Sequence, residues 1–432
     1  MGRPRKNQSA SSGYQPKKIH KLEAMEDIVA GDDSLWDAIL TRLSKLSRTY
    51  GFEKIEPPLL EDLRLYENFY KTSPRQINNF LRVPLAGQEA VVRGDFLPGV
   101  LRAYFEHKIY EKQALSKWAF SGFTAKTDEN QALAADCQFG FEIFGQFNHL
   151  TEAQVVGAAW QFLTGLGLKD SVLEINHLGK EECQAHYSET LRDFLSDKKY
   201  QLCDGCNEHL QGRTLNVLRC GNLDCQSLLS EAPVVVDFLD DEAKQHFTNI
   251  LEALDELSIP YQLNPLYVGA DGHGRTNLVI KAKLKGQNVI VGEGGYHESL
   301  MQNLCGKNYC CFGFVGSLLT VRKLLEANKI TAEREQKKDV FLVPLGELAA
   351  KRALRLFRDL TSEKISVYDH FGNAGVKNQL KAAESFRAPV ALIMGQKEAM
   401  DEMVILRDVK SGMQEIISYD KIVQEVKKRL GR

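Results

Sequence analysis

Four cysteines carry the sharpest chemical signal in this 432-residue chain. Two residues separate Cys203 from Cys206, four separate Cys220 from Cys225, and thirteen lie between the pairs. Thiolates are soft donors, and two short pairs on separate turns can close a tetrahedral zinc site. Four thiolates fill the shell, so such a zinc would be structural, with no open position for a substrate. The second spacing is wider than the common C-x2-C. The alternative is four reduced thiols in a reducing cytosol.

Other chemistry is sparser. There is no G-x-x-x-x-G-K-[ST] loop, no H-E-x-x-H and no G-x-S-x-G. Gly292, Gly294 and Gly295 surround Glu293 at the wrong spacing for a dinucleotide turn, and the carboxylate would repel a pyrophosphate, so a tight glycine turn is expected. Residues 269–274 (GADGHG) are mis-spaced too, and His273 and His297 stand alone. Gln138 and Glu142 lie four apart on an alternating segment, QFGFEIFG, so both point to one face with Gly140 between them. A carboxylate beside an amide can hold an ammonium or imidazole N–H, and the glycine would leave room for a small ligand. The alternative is a solvent-facing polar pair.

The elements that must position these groups can be read in outline. Trp36, Ile39, Leu40, Leu43 and Leu46 form one helical face, with Asp32 or Asp33 to cap it and Gly51 to end it. Residues 52–58 read as a short strand stopped by two prolines. A second helix opens at Thr151, with Gln154 completing a capping box. Strands are expected at 172–175, 278–280, 288–291 and 310–314, and helices at 240–257 and 322–331. A charged linker follows at 333–339. Strands at 340–344, 365–368, 390–393 and 403–406, the first three separated by helices, make a small α/β domain. The organisation expected is a basic tail (1–24), a core in two parts (25–170 and 263–332) around a cysteine-bearing insert (171–262), and a C-terminal domain (338–432).

Composition sets the outer limits. Hydrophobic residues make up 43% and charged residues 26%, the balance of a globular protein. No apolar run nears the roughly 20 residues of a membrane span, and the N-terminus has no signal-peptide h-region, so a cytoplasmic protein without a membrane partner is expected. The net charge of -2 excludes a wholesale polycation. The tail, with Arg3, Arg5, Lys6, Lys17 and Lys18, could enter an A·T minor groove or simply stay solvated.

Several segments, in order, resemble the histidyl-tRNA synthetase family, a class II aminoacyl-tRNA synthetase. Residues 50–58 (YGFEKIEPP) resemble its motif 1, at the dimer interface, which implies a homodimer. Residues 93–97 (RGDFL) and the GVLRAYFEH that follows resemble the R-P-E-G-T segment, whose acidic residue holds the α-amino group of histidine. QFGFEIFG resembles the end of motif 2, so a histidine pocket at Asp95, Gln138 and Glu142 is implied. LEINHLG (173–179) resembles the strand after it. Residues 340–432 resemble the anticodon-binding domain, which implies a tRNA partner. Lys377, Lys381, Arg387 and Arg407 are candidates for its phosphates, and Lys377 and Lys381 are one helical turn apart. The fold implied is α+β: a class II synthetase-like antiparallel-sheet core, the inserted cysteine-bearing domain, and a C-terminal α/β anticodon-binding-like domain.

The catalytic positions depart from that pattern. The motif 2 arginine that would hold the ATP α-phosphate falls on Thr124, and the loop arginines on Ala132 and Ala134. The arginine of R-G-L-D-Y-Y falls on Val268 and its tyrosines on Gly272 and His273. Motif 3, G-L-E-R, reads Ser317, Leu318, Leu319 and Thr320. Fixed arginines supply most of the stabilisation of adenylate formation, and one such donor is worth on the order of 10²–10³ in rate. The resemblance therefore implies a tRNA-binding paralogue with impaired aminoacylation, with free histidine as a second candidate ligand. Precedents are the synthetase-like regulatory subunit of ATP phosphoribosyltransferase, which usually lacks an anticodon domain, and the tRNA-sensing domain of a eukaryotic stress kinase. The rival is an active histidine–tRNA ligase using ATP and magnesium, with Arg275, Lys281, Lys283 or Arg322 substituting.

Overall fold

The computed structural model describes residues 19–29, 33–71, 77–128, 130–269, 274–306, 309–331, 339–369, 376–385 and 388–432. The basic residues of the tail through Lys18, Asp32, Gly272, His273, Arg387 and linker residues 333–338 lie outside them. The chain divides into two compact units, Met1–Ala332 and Glu333–Arg432.

The first unit is built on an eight-stranded sheet and a three-stranded one. Its strands are β1 (Glu53–Lys54), β2 (Leu60–Asp62), β3 (Arg82–Leu85), β4 (Gln88–Val92), β5 (Leu115–Thr127), β6 (Leu133–Gly145), β7 (Val172–His177), β8 (Tyr261–Leu263), β9 (Thr276–Leu284), β10 (Gln287–Tyr296) and β11 (Cys311–Ser317). The large sheet runs β1-β5-β6-β11-β10-β9-β7-β8, antiparallel except at its two edge pairs, and the small one runs β2-β4-β3. Alternation on β6 sends Phe139, Phe141 and Ile143 to the rear. There they meet helices Asp33–Thr49, His149–Gly165, Asp241–Glu256 and Leu318–Ala327 in the main core. The front is covered across β5, β6 and β11 by a second core. In it, Leu97, Val100 and Leu101 of helix Leu97–Glu106 and Leu300 and Met301 of helix Glu298–Cys305 pack on Trp118, Phe120, Phe144 and Cys311.

Some elements differ from their expected form for local reasons. The second helix starts at His149, because the Asn148 side chain accepts the Leu150 N–H, while Gln154 accepts from Lys117 instead. Gly292 to Gly295 form no turn; they continue β10 to Tyr296, where a Cβ at Gly292 would lie 2.4 Å from the Phe314 ring. The helix expected at 322–331 begins four residues earlier, where the Ser317 hydroxyl accepts the Thr320 N–H. β7 and β8 join the large sheet and helix Asp241–Glu256 packs in the main core. The residues with a core of their own begin at Leu178 and reach past 262 to Val268; Tyr187, Leu191, Leu195, Val217, Cys225 and Leu229 are among its buried members. That insert is helical, the sixteen-residue helix Glu181–Ser196 beside several short ones, which charge-rich spacing does not reveal.

The second unit is a five-stranded sheet, ordered β13-β12-β14-β15-β16, from β12 (Val340–Pro344), β13 (Val367–Asp369), β14 (Val390–Met394), β15 (Met403–Asp408) and β16 (Gln414–Ser418). Helices Glu347–Ser362, Val376–Ser385, Gln396–Met400 and Tyr419–Arg429 accompany it. Alternation splits its core in two, with Leu342, Val404 and Leu406 on one face and Phe341, Val343 and Ile393 on the other. Among the described residues, no helix is long and apolar enough to cross a membrane.

Candidate functional site

The front of the large sheet holds the residues that the sequence marks as an amino-acid pocket. Asp95 precedes helix Leu97–Glu106; its carboxylate accepts Tyr70 Oη at 2.6 Å and the Leu97 N–H at 3.2 Å, and its carbonyl accepts Tyr66 Oη. Burial, then Asp95, push the Tyr70 phenol well above its usual pKa. Gln138 Oε1 accepts the Phe96 N–H at 2.9 Å. The space expected at Gly140 is filled: a Cβ there would lie 2.2 Å from the Phe120 ring, which stacks on Phe96 at 5.1 Å between centroids. Room for a ligand is the one feature of this reading that the geometry removes.

Glu142 is fully buried and faces a group that the sequence left isolated. His297 Nε2 lies 3.4 Å from Glu142 Oε1, with the two side chains 1% and 0% exposed. Gly313 on β11, directly across from Glu142, makes this possible, since a Cβ there would lie 2.0 Å from the carboxyl carbon. Burial, with Asp95 adding to it, pushes the Glu142 carboxyl well above its usual range. Burial pushes His297 down to about 4, against the pull of Asp95. Both shifts favour the uncharged forms of the pair.

The positions where the resemblance expects arginines are dispersed: Thr124 lies on β5, Val268 in the insert core, and Thr320 in the first turn of helix Leu318–Ala327. Thr124 is buried opposite Asp136 in the β5/β6 register, and Asp136 Oδ1 accepts the Ser317 hydroxyl at 2.6 Å and the Cys137 N–H at 2.7 Å. Val268 is buried among the apolar side chains of the insert core. Glu293 Oε1 accepts Tyr267 Oη at 2.8 Å. The proposed substitutes have other partners: Arg275 binds Glu298 at 2.6 Å, Lys281 binds Glu174 at 2.7 Å, and Arg322 binds Glu326 at 2.8 Å, while Lys283 is exposed. Arg93 is a clamp rather than a ligand group, donating to the carbonyls of Pro57 and Phe123 and lying over Phe96. Asp136 is a carboxylate that motif reading does not mark, and it joins Glu293, which motif reading does mark.

The four cysteines of the insert do converge. Sγ atoms of Cys203, Cys206, Cys220 and Cys225 all lie within 4.8 Å of one another. Cys203 Sγ and Cys220 Sγ are 3.7 Å apart, far beyond a disulfide and close to the edge of about 3.8 Å that Zn–S bonds near 2.3 Å would give a tetrahedron. Backbone N–H groups of Cys203 and Asn222 point at Cys225 Sγ and Cys220 Sγ. A backbone N–H at Cys206, then its fellow thiols, pull Cys203 down to about 7. These donors suit thiolate ligands, so the cluster could hold one zinc.

In the second unit, Lys377 and Lys381 are exposed on helix Val376–Ser385. That helix packs through Ala383 on the sheet face of Ile393 and Ile405, and Arg407 shares the Ile405 side of β15.

Residues 25–321 match the family described as histidyl-tRNA synthetase, and residues 339–429 match the anticodon binding domain. A histidine–tRNA ligase of Dehalococcoides mccartyi is 27% identical over 410 residues, 94% of this chain and 98% of that one. Among solved structures, apo S. aureus histidyl-tRNA synthetase shares the fold with a TM-score of 0.79 and 24% identity, covering 95% of this chain and 100% of its own. A Bacillus halodurans C protein titled ATP phosphoribosyltransferase regulatory subunit/histidyl-tRNA synthetase gives 0.62 and 17%, covering 88% of this chain and 99% of its own.

Proposed function

The chain belongs to the histidyl-tRNA synthetase family, and from that premise we propose that it binds tRNA without forming histidyl-adenylate at an enzyme's rate. The observation that supports this reading is the set Thr124, Val268 and Thr320 where the family places guanidinium groups, with Asp136 directly across from Thr124 in the β5/β6 register. In-line attack on an α-phosphate accumulates negative charge, and threonine or valine cannot return a charged, bidentate hydrogen bond to it. Val268 is also no simple gap. An arginine there would bury its charge in the insert core, so activity is not one substitution away.

The same reading closes the amino-acid end of the site, because His297 and Phe120 take the space beside Glu142 and Gly140. It includes one structural zinc at Cys203, Cys206, Cys220 and Cys225, which would tie the two cysteine turns of the insert together. It also includes a homodimer through the motif 1-like segment. Histidine-dependent ATP–pyrophosphate exchange on the full-length protein is the test. No exchange above background is expected, and turnover of about 1–10³ s⁻¹ would overturn the proposal.

One observation favours an active ligase: the match to ligases spans 98% of the Dehalococcoides mccartyi protein. In that case ATP with magnesium would be required, and Arg322, whose Nη1 is buried without a hydrogen-bond partner two residues past Thr320, would be the guanidinium to test. Arg322→Ala would then abolish exchange.

A further inference from the structure

A cavity of about 340 Å³ opens at the rear end of the large sheet, away from Glu142. It lies where β7 ends at His177, β9 begins after Arg275, and helix Asp241–Glu256 crosses. His177, Lys180, Glu242, His246, Asn249 and Arg275 line it. Residues 242, 246 and 249 are one helical stripe, and Lys180 stands immediately before helix Glu181–Ser196 of the insert.

Two residues that line this cavity each carry a buried nitrogen without a hydrogen-bond partner: His177 Nε2 and Arg275 Nε. Such orphans are uncommon in folded proteins and call for an explanation. His177 is 1% exposed, and its ring is held in place by stacking on Phe247 and by Thr276 Oγ1, 3.0 Å from Nδ1. In the tautomer whose Nδ1 accepts the Thr276 hydroxyl, Nε2 carries the hydrogen and is a donor, and a bound oxyanion selects that tautomer. Arg275 Nε is always a donor. Its guanidinium is fixed over the Tyr296 ring and by Glu298. His246 is held as well: its Nε2 lies 3.2 Å from the buried Glu152, which also accepts Tyr296 Oη.

Orphaned donors on rigid side chains, beside the Lys180 ammonium and the Asn249 amide, fit a ligand that only accepts. Burial first, then His246 and Arg275, hold His177 well below the usual imidazole range against the pull of Asp240, so its ring is neutral and keeps a single N–H. Glu242 is the one carboxylate on the wall, and it is paired with Lys180. We propose that this cavity binds a small molecule through an oxyanion, a carboxylate or a phosphate, held by Arg275, Lys180 and His177. The volume suits a small acid, near the lower end of ligand pockets. Bound there, the oxyanion bridges the start of the insert to the sheet. The site is independent of whether the front face supports adenylation.

Inorganic phosphate and succinate are the two probes, titrated against full-length protein at pH 7 with chloride at matched ionic strength as reference. Calorimetry and thermal shift should show saturable binding of at least one probe and none with chloride. The probe that saturates at the lower concentration identifies the phosphate or the carboxylate source. Lys180→Gln and Arg275→Lys should each weaken binding at least tenfold while leaving tRNA affinity unchanged. Lys180 is partly exposed, so its variant is readable even if the arginine variant fails to fold. Equal responses to all three anions, or a Lys180 variant that binds as the parent does, would overturn the proposal.

Discussion

Glu142 and His297 are an acid and a base buried together, and burial shifts each toward its uncharged form. If the imidazole is what occupies this end of the site, removing it should make room for free imidazole. His297→Gly is therefore expected to be destabilised and to regain stability saturably with added imidazole, by RT ln(1 + [L]/Kd), while the parent does not respond. Equal response of parent and variant in thermal melts would show that the ring does not fill a site. The carboxyl has its own signature. Its folded pKa is raised, so its contribution is fully present below the unfolded value of about 4.3 and is lost as pH rises above it. The stability of the parent relative to Glu142→Gln should fall by up to about 1.4 kcal/mol per pH unit above that point. A flat difference in urea melts from pH 5 to 8 would mean that Glu142 ionises freely. At this scale Gln138 and Glu142 are legible in the sequence because strand alternation is local. His297 is not, because its partner comes from a distant strand and only closure of β6, β11 and β10 brings them together.

Elements show the same division between local and distant causes. The helix of Trp36 and Leu43 and strands β12 to β15 of the C-terminal unit follow from period and punctuation alone. The fate of Gly292, Gly294 and Gly295 does not. Glycines that suggest a turn are here the residues that let β10 pass Phe314 and the Gly313 carbonyl at close range. β16 and helix Tyr419–Arg429 were unread because the strand is a mostly exposed edge with weak alternation. The cysteine turns are the converse case, short-range spacing whose convergence the fold supplies. Protein purified without chelator is expected to carry about one zinc per chain. Cys206→Ser should lower both the metal content and the melting temperature, because a cross-link between two turns is lost from a core of short helices. Atomic emission finding no zinc in a protein whose insert resists proteolysis would contradict the site.

At the scale of the whole molecule, domain order is legible because each segment carries its own pattern, and the helical insert is the part that spacing could not resolve. The C-terminal unit is where the proposed tRNA contact should be measured. A chain of net charge -2 has no bulk attraction for a polyanion, so affinity must come from local cations whose phosphate contacts release counterions. Lys377 and Lys381 are exposed one turn apart, on the sheet side that Arg407 also shares. Each lysine that neutralises a phosphate should contribute about one to the slope of log affinity against log salt. Lys377→Ala with Lys381→Ala, in the full-length chain, is therefore expected to weaken tRNA binding and to reduce that slope by about two. Filter binding across a salt series reads both quantities at once. A weaker complex with an unchanged slope would point to disturbed packing of the helix. Unchanged affinity and slope would move the tRNA contact off this face altogether.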